Sequence, residues 1–360
     1  MSVLTGLTTL RNFHNKTHLE SNWFTTTSRH PTLPSQPTSD WRRIVVNHPS
    51  LSEVFFCLVL LQTNMAGITI FEVGPRDGIQ NLKHEVKSAE KIELVKLLED
   101  AGLKDIEVTS FVNPKRVPNM ADAEEVFTAV RLNTSYSVKH SVLVPNKRGI
   151  DRAKAVGATN FNIFYSPNSD FNRENYGLTL EQIIKGYEEA LEGVPTSDVR
   201  VYISMAFGGC IEELYDAIET GLRFGDKIVL CDTDGTASPF DIALALDIAH
   251  DLTRNIAMHL HVGRHLWLNI ETAYLHGVRE FDASIGGLGG CPFVAKSGAN
   301  LATEDLVQWA EERNIPCAVC AETLKPAVEL ASRIKNPTLR IALTNKVRET
   351  KGRFMRAVKR

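Results

Sequence analysis

Eight short apolar runs alternate with amphipathic stretches between Gly67 and Ile334, predicting an α/β fold of the (β/α)8 TIM-barrel class with extra carboxyl-terminal helices. Two further observations agree. Polar, chemistry-bearing residues gather at the carboxyl end of several runs, where a barrel of this class builds its site. At 360 residues the chain is long for an average domain but suits one barrel of roughly 250 residues with extensions. A doubly wound open sheet is the competing architecture, and it rarely needs eight units.

The elements follow in order. Ile68–Val73 is a strand, and Ser88–Ala101 a helix closed by Gly102. Asp105–Thr109 is the second strand, with a helix over Ala121–Leu132. Val138–Val144 is the third, followed by a helix after Asn146 that ends near Gly157. Phe161–Tyr165 precedes a helix over Leu180–Glu192, and Val199–Met205 one over Ile211–Phe224. Lys227–Cys231 leads to Pro239–Asn255, and Ala257–His261 to a helix reaching His276. Glu280–Ser284 is the eighth strand. Helices over Thr303–Arg313 and Ala321–Ile334 then close the pattern, giving a barrel domain at 67–335 and a basic tail at 336–360.

Residues 1–66 read as an amino-terminal extension outside the fold. They are rich in Ser and Thr, carry more bases than acids, and are interrupted by Pro31, Pro34, Pro37 and Pro49. A mitochondrial transit segment, a disordered extension in a cytoplasmic protein and a mis-assigned start just before Met65 all fit that composition. The apolar run Val54–Leu61 is about half the length needed to span a bilayer, so no membrane role is expected. A net charge of −3 calls for no nucleic-acid partner. Six scattered cysteines, with no secretory framework, fit a reducing compartment. A homodimer stays open as an alternative to a monomer.

The search for chemistry narrows to the strand ends. The first strand runs into Gly74-Pro75-Arg76-Asp77-Gly78, the second carries Glu107, the sixth ends in Asp232-Thr233-Asp234, and the seventh in His259-Leu260-His261. Side chains two apart on a strand share a face, so His259 and His261 can point at one ion. They can equally be hydrogen-bonded core groups. Asp77 and the amide oxygen of Asn300 would complete a mixed nitrogen and oxygen set suited to Mg2+ or Mn2+ rather than to a thiolate-rich zinc site. Gly286 to Gly290 lacks the context of a phosphate cradle and reads as a mobile loop, with Cys291 at its end either reactive or buried. Cys317-Ala-Val-Cys320 reads as two free thiols.

Together, the segments Glu72-Val-Gly-Pro-Arg-Asp-Gly-Ile-Gln80, Ile106-Glu-Val-Thr-Ser-Phe-Val112, Gly286-Gly-Leu-Gly-Gly-Cys-Pro-Phe293 and Asn300-Leu-Ala-Thr-Glu-Asp305 resemble the 3-hydroxy-3-methylglutaryl-CoA lyases. The likeness runs from about Ile68 to Ile315. Arg-Asp-Gly-x-Gln is shared with isopropylmalate and homocitrate synthases, whereas the Gly-Gly-Cys-Pro loop followed by Asn-Leu-Ala-Thr-Glu-Asp favours the lyases. By that resemblance Asp77, His259, His261 and Asn300 hold a divalent metal, Arg76 faces the substrate carbonyl, Glu107 is a catalytic carboxylate and Cys291 acts from the closing loop. The implied reaction is retro-Claisen cleavage of an acyl-CoA thioester to acetyl-CoA and acetoacetate. Its base is His259, with Glu107 or a metal-bound water as rivals, and Cys291 is the acid or proton shuttle.

Two stretches depart from the family. After the second histidine the family continues with Asp-Thr, an aromatic or Arg, and Gly; here Val262-Gly263-Arg264-His265 follows, one residue short and without the acid. Before Asp232 the usual Ser-Leu-Gly is replaced by Val229-Leu-Cys231. Two competing readings therefore stand beside the lyase: an acyltransferase running the Claisen direction with acetyl-CoA and a 2-oxo acid, and an impaired barrel kept for binding.

Overall fold

The structure is a computed structural model that describes residues 66–133, 137–289 and 298–336. Most of the extension, all but the first residue of the basic tail, and Cys291 lie outside these residues. Eight parallel strands close into a barrel in chain order: β1 (Thr69–Glu72), β2 (Asp105–Ser110), β3 (Lys139–Leu143), β4 (Asn160–Tyr165), β5 (Val199–Ile203), β6 (Lys227–Asp232), β7 (Ile256–Leu260) and β8 (Glu280–Ala283). Closure is made by β1 on β8, with Thr69 opposite Glu280 and Glu72 opposite Ala283. The expected (β/α)8 barrel is the observed fold.

The strands are buried on both faces, as parallel strands covered by helices must be, so their sequences read as near-continuous apolar runs. The covering helices are α1 (Ser88–Asp100), α2 (Ala123–Asn133), α3 (Lys147–Ala155), α4 (Ser169–Tyr176), α5 (Leu180–Ala190), α6 (Ile211–Leu222), α7 (Pro239–Leu252) and α8 (Leu266–Leu275). Helices α9 (Thr303–Glu312) and α10 (Ala321–Lys335) follow. Local chemistry starts them. Asn146 accepts from the Gly149 amide ahead of α3, Thr179 and Gln182 form a capping box on α5, and Ser238 caps α7 with Pro239 in its first turn. No helix among the described residues is long and apolar enough to cross a membrane.

Three expectations are corrected. Helix α4 was not anticipated, because its eight residues offer little apolar periodicity, yet Asn168 caps its start and Gly177 ends it in the left-handed conformation (φ 71°). Strand β5 stops at Ile203 rather than Met205, which turns out of the strand at φ 54°. Helix α7 ends at Leu252, since Thr253 is already extended.

One buried acid ties the end of β1 to the segments that follow β8. Glu72 is fully buried and accepts hydrogen bonds from the Gly74 amide (2.7 Å), the Ile285 amide (2.9 Å) and the Thr303 hydroxyl (2.5 Å). It thereby fastens β1 to the segment after β8 and to the start of α9. Burial pushes its carboxyl up to about 7 despite those bonds. An acid whose folded-state affinity for protons is raised contributes full stability below the unfolded value of 4.5, and that contribution is lost as pH rises through about 7. Glu72→Gln, which keeps the shape, should flatten this slope, worth roughly 3 kcal/mol over the window. Urea unfolding at pH 5 and pH 8 checks it, with the wild-type protein losing more stability than the variant between the two.

Candidate metal centre

At the carboxyl end of the barrel, two strand ends and one crossing segment bring four side chains together. Immediately after β1, Gly74–Gly78 forms a wide helical turn that buries Arg76 and turns Asp77 inward. His259 lies on β7 and His261 just beyond it, with alternation placing both on the inner face. His261 also pairs with Asn300 as an isolated antiparallel bridge, which draws the segment after the glycine loop onto the site. One donor atom from each of Asp77, His259 and His261 lies within 4.8 Å of the others.

Hydrogen bonding then decides what those donors can do. His261 Nδ1 lies 2.6 Å from the Thr233 carbonyl oxygen, which can only accept, so Nδ1 carries the hydrogen. His259 Nδ1 lies 3.1 Å from Asp282 Oδ2, a carboxylate, and donates likewise. The two Nε2 atoms face each other at 3.2 Å, and the neutral His261 ring presents a lone pair there. Such an arrangement needs a proton or a cation between the rings. Asn300 Nδ2 donates to Asp77 Oδ2 (2.7 Å) and to the Leu288 carbonyl (3.0 Å), while its buried Oδ1 has no partner. Two imidazole nitrogens, a carboxylate and an orphaned amide oxygen fit a hard divalent cation with sites left for substrate oxygens.

Electrostatics agree. Burial, together with the charge on His259, brings His261 down to about 4, so its imidazole is neutral near pH 7. Burial works against the charged form of Asp77, but Arg76, then His259, and the Asn300 amide hold its carboxyl below the ordinary range. Burial would lower His259, yet the bond and charge of Asp282 raise it above its usual value.

Arg76 and Glu107 are the second pair. Arg76 Nε donates to Glu107 Oε2 at 2.5 Å, and Nη1 to Asp77 Oδ1 at 2.7 Å. Asn162 Nδ2 donates to the other oxygen of Glu107 at 2.7 Å, so both carboxylate oxygens are engaged. Burial raises the Glu107 carboxyl against the pull of Arg76. Arg76 lines a cavity of about 650 Å3 with a polar end at Asp77, His259 and His261 and an apolar flank including Leu82, Val117, Phe164 and Phe171.

Comparison with known proteins now bears on this centre. The HMGL-like family profile matches residues 67–331. The chain belongs to the HMGL-like family. A hydroxymethylglutaryl-CoA lyase of Bacillus subtilis is 34% identical over 275 residues, covering 73% of this chain and 91% of that protein. An (R)-citramalyl-CoA lyase of Chloroflexus aurantiacus is 31% identical over 290 residues, covering 74% and 91%. The structure of an HMG-CoA lyase from Acinetobacter baumannii in complex with coenzyme A and 3-methylmalate superposes with a TM-score of 0.69 at 31% identity, covering 75% of this chain and 90% of that one. Membership of the HMGL-like family, with relatives of this kind, makes the chain a lyase.

Set against the expectations, the structure brings Arg76, Asp77, Glu107, His259, His261 and Asn300 to one place, whereas Cys291 lies outside the described residues. The loop that departs from the family pattern is drawn tight. Val262 N donates to the Ala299 carbonyl (2.7 Å), and Gly263 lies so close to Gly235 that an added Cβ would sit 1.8 Å from the Gly235 oxygen. The four donors gather without the missing acid. Sequence reasoning overlooked Asp282, Asn162 and Tyr202, which serve His259, Glu107 and the cavity wall. Strand alternation puts Asp282 on the inner face of β8 beside His259 of β7, and that register was the available signal. Asp77→Ala and His261→Ala should each weaken Mn2+ binding on the order of 100-fold or more while preserving the far-ultraviolet circular dichroism. Calorimetric titration measures this; unchanged affinity in both would remove the cation from this centre.

Proposed function

We propose that the protein is a divalent-metal-dependent lyase that cleaves 3-hydroxy-3-methylglutaryl-CoA, or a close 3-hydroxyacyl-CoA, to acetyl-CoA and acetoacetate. The observation that carries the reading is the convergence of two opposed imidazole Nε2 atoms and an ionised carboxylate at the polar end of a mixed cavity, with an unpartnered amide oxygen buried beside them. Asp77, His259, His261 and Asn300 are the proposed ligands of Mg2+ or Mn2+. A cation there supplies Lewis acidity to the substrate's hydroxyl and carboxylate.

The chain's own residues supply the rest. Glu107 is occupied by Arg76 and Asn162, so His259 is the better base, and Asp282 at its Nδ1 favours the protonated ring. Substrate brings two oxygen donors of its own; these would take the place of His259 Nε2 on the ion, and the freed Nε2 would accept the proton of the 3-hydroxyl. As the bond between C2 and C3 breaks, the electron pair moves into the thioester carbonyl as an enolate. Arg76, with Nε on Glu107 and Nη1 on Asp77, keeps Nη2 outside those two contacts to meet the enolate oxygen. Cys291 is the proposed donor of the proton that C2 receives. A thiol with an ordinary pKa near 8.5 still carries its proton at neutral pH. The apolar flank at Leu82, Phe164 and Phe171 suits the thioester end of the substrate.

Purified protein given Mg2+ and the thioester should release acetoacetate and acetyl-CoA in equal amounts, stop with a chelator, and resume when Mg2+ or Mn2+ is restored. Release of a 2-oxo acid from citramalyl-CoA, with no acetoacetate from the first substrate, would shift the assignment to the shorter acyl group. Free CoA formed from acetyl-CoA and a 2-oxo acid would indicate acyl transfer, and no turnover of any of these a binding role. Cys291→Ala should lower kcat by about 10²–10⁴ with little change in KM. Steady-state kinetics read this out, and an unaffected kcat would take the thiol out of the reaction.

A further inference from the structure

Below the proposed cation site, the barrel interior is crossed by an ionic strut where aliphatic layers usually pack. Arg200, on β5, is 7% exposed and reaches over the barrel axis to β8, where its guanidinium meets Glu280 through Nη1 and Asp282 through Nη2. Its Cζ lies 4.0 Å from the centroid of the Phe71 ring of β1, and Nε contacts the Tyr202 hydroxyl at 3.2 Å. Strands β5 and β8 are not neighbours in the barrel, so no backbone ladder sets their separation. Lys227 of β6 also binds Glu280, at 2.8 Å.

Asp282 is the joint in this arrangement. One of its oxygens takes the Arg200 guanidinium and the other takes His259 Nδ1. The carboxylate is held between a permanent cation and an imidazole, one on each oxygen. A carboxylate behind a ligating histidine sets which ring nitrogen is bare and where it points. Here a second group, the arginine, sets the carboxylate.

We propose that Arg200 is a positioning residue for the metal centre: by clamping Asp282 it holds His259 with Nδ1 protonated and Nε2 turned to the ion. It touches neither ion nor substrate. Arginine suits the task because its planar fork can serve Glu280 and Asp282 together while stacking on Phe71, whereas a lysine ammonium offers one point of charge and no stacking face. The inference rests on the metal reading of the site, and its test separates the two.

Mn2+ titration followed by electron paramagnetic resonance, without substrate, gives the dissociation constant for the wild type, Arg200→Lys, Asp282→Asn, the double variant and Lys227→Met. Arg200→Lys keeps the buried charge balanced, so it is the variant expected to fold. Its Mn2+ affinity should fall by about 10-fold, toward the 10–100-fold range typical of groups behind a ligand. Asp282→Asn should lose at least as much. The double variant should be no weaker than Asp282→Asn alone, because the arginine acts only through that carboxylate. Lys227→Met, which loosens the same strut at Glu280 but not at Asp282, should stay within about twofold of the wild type by the same additivity reasoning. Equal Mn2+ affinity in the wild type and Arg200→Lys, additive losses in the double variant, or an equal loss in Lys227→Met would each overturn the positioning role. Absence of Mn2+ binding by the wild type would instead overturn the metal reading.

Discussion

Two imidazole Nε2 atoms, 3.2 Å apart inside a protein, are the constraint around which this site is arranged. Each is forced by what lies behind it, a backbone carbonyl for His261 and a carboxylate for His259. Buried acceptors left facing each other are costly unless something positive is shared between them. The neighbouring Asp77 carboxylate and the unpartnered oxygen of Asn300 make a divalent ion a better answer than a single proton. The barrel serves this arrangement by delivering residues more than two hundred positions apart to one rim.

The barrel itself was legible because parallel strands buried on both faces leave a strong mark in sequence. Runs such as Ile228-Val-Leu230 and Ile256-Ala-Met258 lie on either side of a helix, α7, that Ser238 and Pro239 start. What the pattern could not show were elements of low apolar content. Helix α4 is built on Asn168 and Gly177, not on a hydrophobic stripe, and the wide turn at Gly74–Gly78 has no periodicity at all.

Much of the candidate site was equally readable, because His259-x-His261 shares a strand face and Arg76-Asp77 follows a strand end. The supporting groups were not. Asp282 and Arg200 look like ordinary charged residues near strand starts, and only the register of β7 against β8 and the span across the axis from β5 reveal their partners. Glu107 is a related case. Sequence marks it as a catalytic carboxylate, but with both oxygens taken by Arg76 and Asn162 its evident work in this structure is to hold the guanidinium. The shortened loop after His261 shows the opposite lesson, since loss of an acid there leaves the donor set gathered.

Asn300 has ends that belong to different parts of the molecule. Its nitrogen fastens Asp77 and the Leu288 carbonyl, within the glycine loop, while its oxygen is buried without a partner. An aspartate at this position would be the stronger cation ligand in isolation. It would also set two carboxylates against each other and offer nothing to the Leu288 oxygen. The proposed ligation at this corner thus uses the weaker ligand, an amide, because an amide can give through its nitrogen and receive through its oxygen.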